Sequence, residues 1–197
     1  MPEHRVGDEI TSAKGISYKV LGAKKGAMGI VYFCRLANGE PDQIVAVKGL
    51  QERFTFDAQA RQAFDNEASI WHRLAYCPFV LPVIDIEIIA GQHFIVTPAI
   101  EPSEEGVVTL RDLIDLHPQG LEAREVLRIA LSLATGLDQA CRRVQGLVHG
   151  DLRPENIMMS GSTPMIADFG LSRAAGLHAA RAGRTAGAYL APECWDE

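Results

Sequence analysis

The residue types that could do chemistry concentrate in His149-Gly150-Asp151-Leu152-Arg153-Pro154-Glu155-Asn156, followed after a short apolar strand by Asp168-Phe169-Gly170. Asp168 and Asn156 supply carboxylate and amide oxygens, which are hard donors, unlike His or Cys. Singly, a histidine before an aspartate is an ordinary core histidine and Asp-Phe-Gly an ordinary turn, so the information lies in their joint order. Upstream, Lys48 closes Val45-Ala46-Val47-Lys48, and Glu67 follows 19 residues later in a helical pattern. An ammonium and a carboxylate at about 4 Å gain about 4 kcal/mol of gross Coulomb energy at an effective dielectric of 20. Desolvation offsets most of that. In Leu21-Gly22-Ala23-Lys24-Lys25-Gly26-Ala27-Met28-Gly29-Ile30-Val31-Tyr32, Gly26 and Gly29 let the backbone approach phosphates closely.

These residues need elements to position them. Residues 17–21, 30–36 and 44–50 read as strands separated by glycine-rich and Asn38-Gly39 turns, an antiparallel meander. Residues 56–74 turn helical, with Phe64, Ala68, Trp71 and Ala75 forming one apolar stripe. Residues 83–89 and 94–97 read as two more strands joined at Ala90-Gly91-Gln92 and ended by Pro98. The polar, turn-prone Glu101-Pro102-Ser103-Glu104-Glu105-Gly106 suits a connector. Beyond it come a short helix over 110–116 and a long one over 123–144. Leu127, Ala130, Leu131, Ala134, Leu137, Cys141 and Val144 give the long helix an apolar stripe at helical period.

Composition sets the outer bounds. The chain has 197 residues, 47% of them apolar and 22% charged, enough for a folded core in one domain or two small lobes. With 25 acidic against 19 basic side chains the net charge is −6, which argues against nucleic acid as a partner. The four scattered cysteines form no C-x-x-C pair, and no apolar run has the length of a bilayer span. A reducing, cytoplasmic setting is the expectation.

Val45-Ala46-Val47-Lys48, Glu67, the octapeptide, Asp168-Phe169-Gly170 and Ala191-Pro192-Glu193 stand in the order, and near the spacings, of the protein kinase family. The chain resembles that family over about residues 17 to 197, in its bacterial-type, eukaryotic-like Ser/Thr form. The resemblance implies an α+β, two-lobe fold: a five-stranded antiparallel N-lobe with one helix, and an incomplete helical C-lobe. The expected division is an N-terminal extension over 1–16, an N-lobe over 17–98, a hinge over 99–106 and a partial C-lobe over 107–197. The implied activity is ATP- and Mg²⁺-dependent transfer of the γ-phosphate to a protein hydroxyl. Asp151 would be the base, Arg153 a cation in the lysine position of Ser/Thr kinases, and Asn156 and Asp168 the metal ligands. Lys48, held by Glu67, would meet the α- and β-phosphates. Gly22, Gly26 and Gly29 would cover the phosphates, and Val31, Ala46 and Met158 would sandwich adenine. Thr97 would be the gatekeeper, with Ile100 on the adenine edge.

Several positions depart from the family pattern. Lys24 stands where the first glycine belongs, and Gly150 replaces the arginine that commonly grips a phosphorylated activation loop, so activity should not depend on a loop phosphate. Thr185 sits one place early, with Ala186 in the threonine position. Arg173, Arg181 and Arg184 make that segment basic. The chain ends four residues after Glu193, where the family continues with more helices. This implies a C-terminally truncated kinase whose uncovered apolar face would serve self-association or a partner chain. Two other readings stand beside the kinase: a nucleotide-binding pseudokinase or scaffold remnant, and a small-molecule phosphotransferase. The Tyr189-Leu190-Ala191-Pro192-Glu193 close argues against the latter.

Overall fold

A computed structural model describes residues 4–26, 28–37, 43–169 and 189. The Asn38-Gly39 turn, Gly170, the arginines and threonine of the segment after it, and Ala191-Pro192-Glu193 lie outside the described residues. The chain divides into two compact units, Met1–His72 with Pro82–Ala99, and Arg73–Leu81 with Ile100–Glu197.

The first unit is built on an antiparallel sheet of six strands, one more than the sequence predicts: β1 (Glu9–Thr11), β2 (Ser17–Lys25), β3 (Gly29–Leu36), β4 (Ile44–Leu50), β5 (Asp85–Ile89) and β6 (Gln92–Pro98), in the order β1-β2-β3-β4-β6-β5. At three residues, β1 is too short to announce itself by alternation. It is fixed by pairing Ile10 with Tyr18, and the turn that follows it reaches the opposite edge strand. There the Ala13 N–H donates to the Ile88 carbonyl at 2.7 Å, and Lys14 Nζ donates to Asp85 Oδ2 at 2.6 Å. Side-chain period two sorts the sheet into two faces. Val20, Ile30, Tyr32, Cys34, Val45, Val47, Phe94 and Val96 form the buried core on one face. Burial there pushes the Cys34 thiol up to about 12.

Helix α1 (Ala58–Arg73) starts where the Asp57 carboxylate accepts from the N–H groups of Gln59 and Ala60, at 2.9 and 3.1 Å. Its buried stripe is Ala60, Ala63, Phe64, Glu67, Ala68 and Trp71, three and four residues apart. A carboxylate therefore sits in the middle of an apolar stripe, which is tolerable only with a partner.

The second unit contains α2 (Leu110–Leu116), α3 (Ala123–Arg143) and the hairpin of β7 (Ile157–Ser160) with β8 (Thr163–Ile166). A capping box opens α2: Thr109 Oγ1 accepts from the Asp112 N–H, and Asp112 Oδ2 accepts from the Thr109 N–H at 2.7 Å. The core comprises Val107, Leu110, Ile129, Ile157 and Met159. The apolar stripe read on α3 is not the face that the helix buries. Its buried residues are Ile129, Gly136 and Ala140, whereas Leu127 and Leu131 of the predicted stripe are each 70% exposed. Small residues win the buried face because α3 passes close to the chain at Pro78 and Phe79 and to Ile166; a Cβ on Gly136 would lie 3.1–3.3 Å from them. The predicted connector, which falls within the second unit, contains a turn in which Ser103 Oγ accepts from the N–H groups of Glu105 and Val107. No helix among the described residues is long and apolar enough to cross a membrane.

Candidate active site

In the first unit the site is a sheet face and a helix. Strand register pairs Val31 with Lys48, Lys48 with Ile95, Phe33 with Ala46 and Ala46 with Thr97. Directly paired residues share a face, so Val31, Ala46, Lys48 and Thr97 all lie on the face opposite the core cluster. Lys48 is 8% exposed and Glu67 1%. Lys48 Nζ donates to Glu67 Oε1 at 3.1 Å, so the spacing of 19 residues does bring the two together. The same ammonium lies over the Trp71 ring, 5.6 Å from its centroid.

The glycine-rich segment is the end of β2, a turn and the start of β3. Gly22 lies inside β2, at a register shift between Val20 and Gly22, and pairs with Phe33. Lys24, in place of the first glycine, is an ordinary strand residue opposite Val31. Gly26 and Gly29 close the turn, with the Gly26 N–H donating to the Gly29 carbonyl at 2.9 Å. Gln51 braces this turn from β4's end: its side-chain amide donates to the carbonyls of Gly26 and Gly29, and its backbone N–H donates to the Met28 carbonyl at 2.8 Å. Sequence reasoning missed Gln51, because a lone glutamine after a strand carries no motif.

In the second unit the site is a loop stitched by hydrogen bonds. His149 is buried; its Nδ1 accepts from the Asp151 N–H at 3.3 Å, which assigns the proton to Nε2, the donor to the Ala167 carbonyl at 3.0 Å. The imidazole also packs on the fully buried Phe169, ring centroids 4.7 Å apart. Asn156 Nδ2 donates to the Asp151 carbonyl at 2.7 Å and to Asp151 Oδ2 at 3.0 Å. The Ala167 N–H donates to the Asn156 carbonyl at 2.9 Å, which sets Asp168 one residue beyond Asn156's partner. Asp168 has φ +62°, the left-handed conformation that aspartate tolerates better than most residues. Gly150 has φ +79°, which favours glycine at the position where the family carries arginine.

A carboxylate between two guanidiniums completes the loop. Arg153 Nε donates to Glu155 Oε2 at 2.7 Å and Arg111 Nε to Glu155 Oε1 at 3.2 Å, and the Arg153 bond holds the Glu155 carboxyl down to about 2. Arg111 Nη2 also donates to the Tyr189 hydroxyl at 2.7 Å. Glu155 and Arg111 were not singled out by sequence reasoning; the pairing spans 44 residues and has no local signature. Ile100 and Met158 belong to the second unit, Met158 on β7 opposite Met165.

The donor set fits a hard divalent cation. Both hydrogens of the Asn156 amide are spent on Asp151, so Oδ1 is the atom it offers, and Asp168 adds a carboxylate.

Comparison with known proteins gives the class first. The family model for the protein kinase domain matches residues 17–197. Among solved structures, the chain is similar to the PknI kinase domain of Mycobacterium tuberculosis, with a TM-score of 0.66 and 28% identity over 87% of this chain and 63% of that one. Among curated proteins, it is 31% identical over 156 residues to the serine/threonine-protein kinase PknF of Mycobacterium tuberculosis, covering 75% of this chain and 30% of PknF. It is 29% identical over 188 residues to the serine/threonine-protein kinase PkaA of Streptomyces coelicolor, covering 86% and 32%. The chain spans about a third or less of the length of the curated relatives it matches. It belongs to the protein kinase domain family.

Proposed function

We propose that the chain transfers the γ-phosphoryl group of ATP to a serine or threonine hydroxyl of a protein, with Mg²⁺ as cofactor. The observation that carries this reading is the buried Lys48–Glu67 pair. Burying both charges costs several kcal/mol per ion after relaxation, so the pair is a poor device for stability alone. It is a good device for holding a cation where phosphates must be gripped. Lys48 is the contact for the α- and β-phosphates. Gly22, Gly26 and Gly29 form the strand-and-turn cover over them, and Val31, Ala46, Thr97, Ile100 and Met158 take the adenine.

In the second unit Asp151 accepts the proton of the attacking hydroxyl, oriented by the two Asn156 hydrogen bonds that fix its backbone and carboxylate. Asn156 Oδ1 and Asp168 hold the metal, and Arg153 adds positive charge beside the base. Mg²⁺, when bound, neutralises the phosphate oxygens. The functional division is an N-lobe over 17–98, a connector over 99–106 and a C-lobe over 107–197.

The test is label transfer from γ-labelled ATP with Mg²⁺ to a generic protein acceptor, comparing the chain with Asp151→Asn. Loss of about a hundredfold or more in turnover on substitution is expected of a lost general base. Equal transfer by both overturns the assignment, and ATP binding with no turnover in the unsubstituted chain makes it a nucleotide-binding scaffold.

A further inference from the structure

Glu67 and Trp71 are one helical turn apart on α1, so they occupy the same face, stacked along the axis. Both converge on Lys48 Nζ, the carboxylate at 3.1 Å and the indole centroid at 5.6 Å. Trp71 is 2% exposed, so this cation–π contact is shielded from water, the condition in which such contacts are strongest. The Lys48 stem is bounded as well: a Cβ on Gly29 would lie 3.7 Å from its Cε.

We infer that Trp71 is a positioning residue for Lys48: its indole face shares the ammonium with Glu67 and fixes where the cation is presented. A carboxylate alone leaves a flexible four-carbon stem free to pivot about one bond; an aromatic face at a second angle restricts that pivot. Because both contacts come from one turn of α1, a displacement of the helix alters them together. Trp71 would thus act on nucleotide affinity through Lys48 and not through direct contact with ATP. The affinity part of this inference rests on the phosphate-binding role proposed for Lys48, whereas the contact itself does not.

Two readouts separate those levels. The chain has two tryptophans, so Trp195→Phe leaves Trp71 as the single emitter. In that background, without nucleotide, Trp71 emission is compared for Lys48 with Glu67→Gln and for the neutral pair Lys48→Met with Glu67→Gln, which removes the ammonium without leaving a lone buried charge. A changed intensity or maximum is expected, and identical spectra overturn the contact. The second readout is a double-mutant cycle on ATP affinity. Trp71→Leu should weaken binding roughly five- to tenfold when Lys48 is present. It should change binding by less than about twofold in the neutral pair, within the additivity error of such cycles. Trp71→Phe, which keeps an aromatic face, should restore most of the affinity. Equal effects of Trp71→Leu in both backgrounds would mean that Trp71 merely packs, and would overturn the inference. If the unsubstituted chain binds no ATP, the phosphate role of Lys48 fails, and the emission spectra alone decide the contact.

Discussion

The candidate functional residues of the two units are held by different physics. Lys48 and Glu67 stand on a central strand and a helix, buried, with an apolar stripe around them. Asp151 and Asn156 stand on a loop that is only partly buried, and hydrogen bonds to side chains and carbonyls do what a sheet and helix do for the first pair. The first pair should therefore fail through charge burial and packing, with large stability costs. The second should fail through loss of orientation, with small stability costs and large catalytic ones.

The sharpest contrast comes from breaking the buried pair. Glu67→Ala removes the carboxylate opposite Lys48 and should destabilise the chain by about 3–5 kcal/mol. The neutral pair Lys48→Met with Glu67→Gln should recover most of that in urea unfolding, and a double variant as unstable as Glu67→Ala would show that the charges are not the cause. Packing beside the pair gives a second handle. A Cβ on Gly49 would lie 2.3 Å from the Phe94 ring, so Gly49→Ala should cost about 1–3 kcal/mol, whereas Gly22 has open space around it and Gly22→Ala should be near neutral. Thermal melts of the two variants check this.

In the loop, Asn156→Ala deletes two hydrogen bonds to Asp151 and should cost about 1–2 kcal/mol in the same unfolding experiment. The accompanying fall in turnover should exceed what that loss of folded protein explains. Smallest of all is the Glu155 effect. With its carboxyl held at about 2 by Arg153, from an ordinary 4.5, the group contributes stability fully present above 4.5 and lost as pH falls towards 2. Glu155→Gln should lower stability modestly above about 4.5, by an amount that solvent screening keeps small, and the difference from the unsubstituted chain should close as pH falls towards 2 in acid-unfolding curves.

This difference also explains what could be read in advance. The octapeptide, Asp168-Phe169 and the Lys48–Glu67 spacing were legible because the first are contiguous and the second follows strand and helix periods. The six-stranded sheet was read as five because β1 is three residues long and owes its existence to partners on β2. The buried face of α3 was not legible because the helix has two apolar faces. Periodicity identifies the helix but favours the leucine-rich face, whereas proximity to Pro78, Phe79 and Ile166 selects Gly136. Trp71 was legible as a core residue, but its approach to Lys48 depends on where α1 lies against the sheet. Gln51 and the Arg111–Glu155 contact are tertiary and leave no local pattern.

The central claim, that Lys48 grips nucleotide while Asp151 serves the acceptor hydroxyl, is tested most directly by measuring ATP affinity and turnover on the same two variants. Lys48→Met should weaken ATP binding and lower turnover, whereas Asp151→Asn should leave ATP affinity within about twofold and lower turnover about a hundredfold or more. If Asp151→Asn weakened ATP binding as much as Lys48→Met did, or if neither variant changed either quantity, the division of labour would be contradicted.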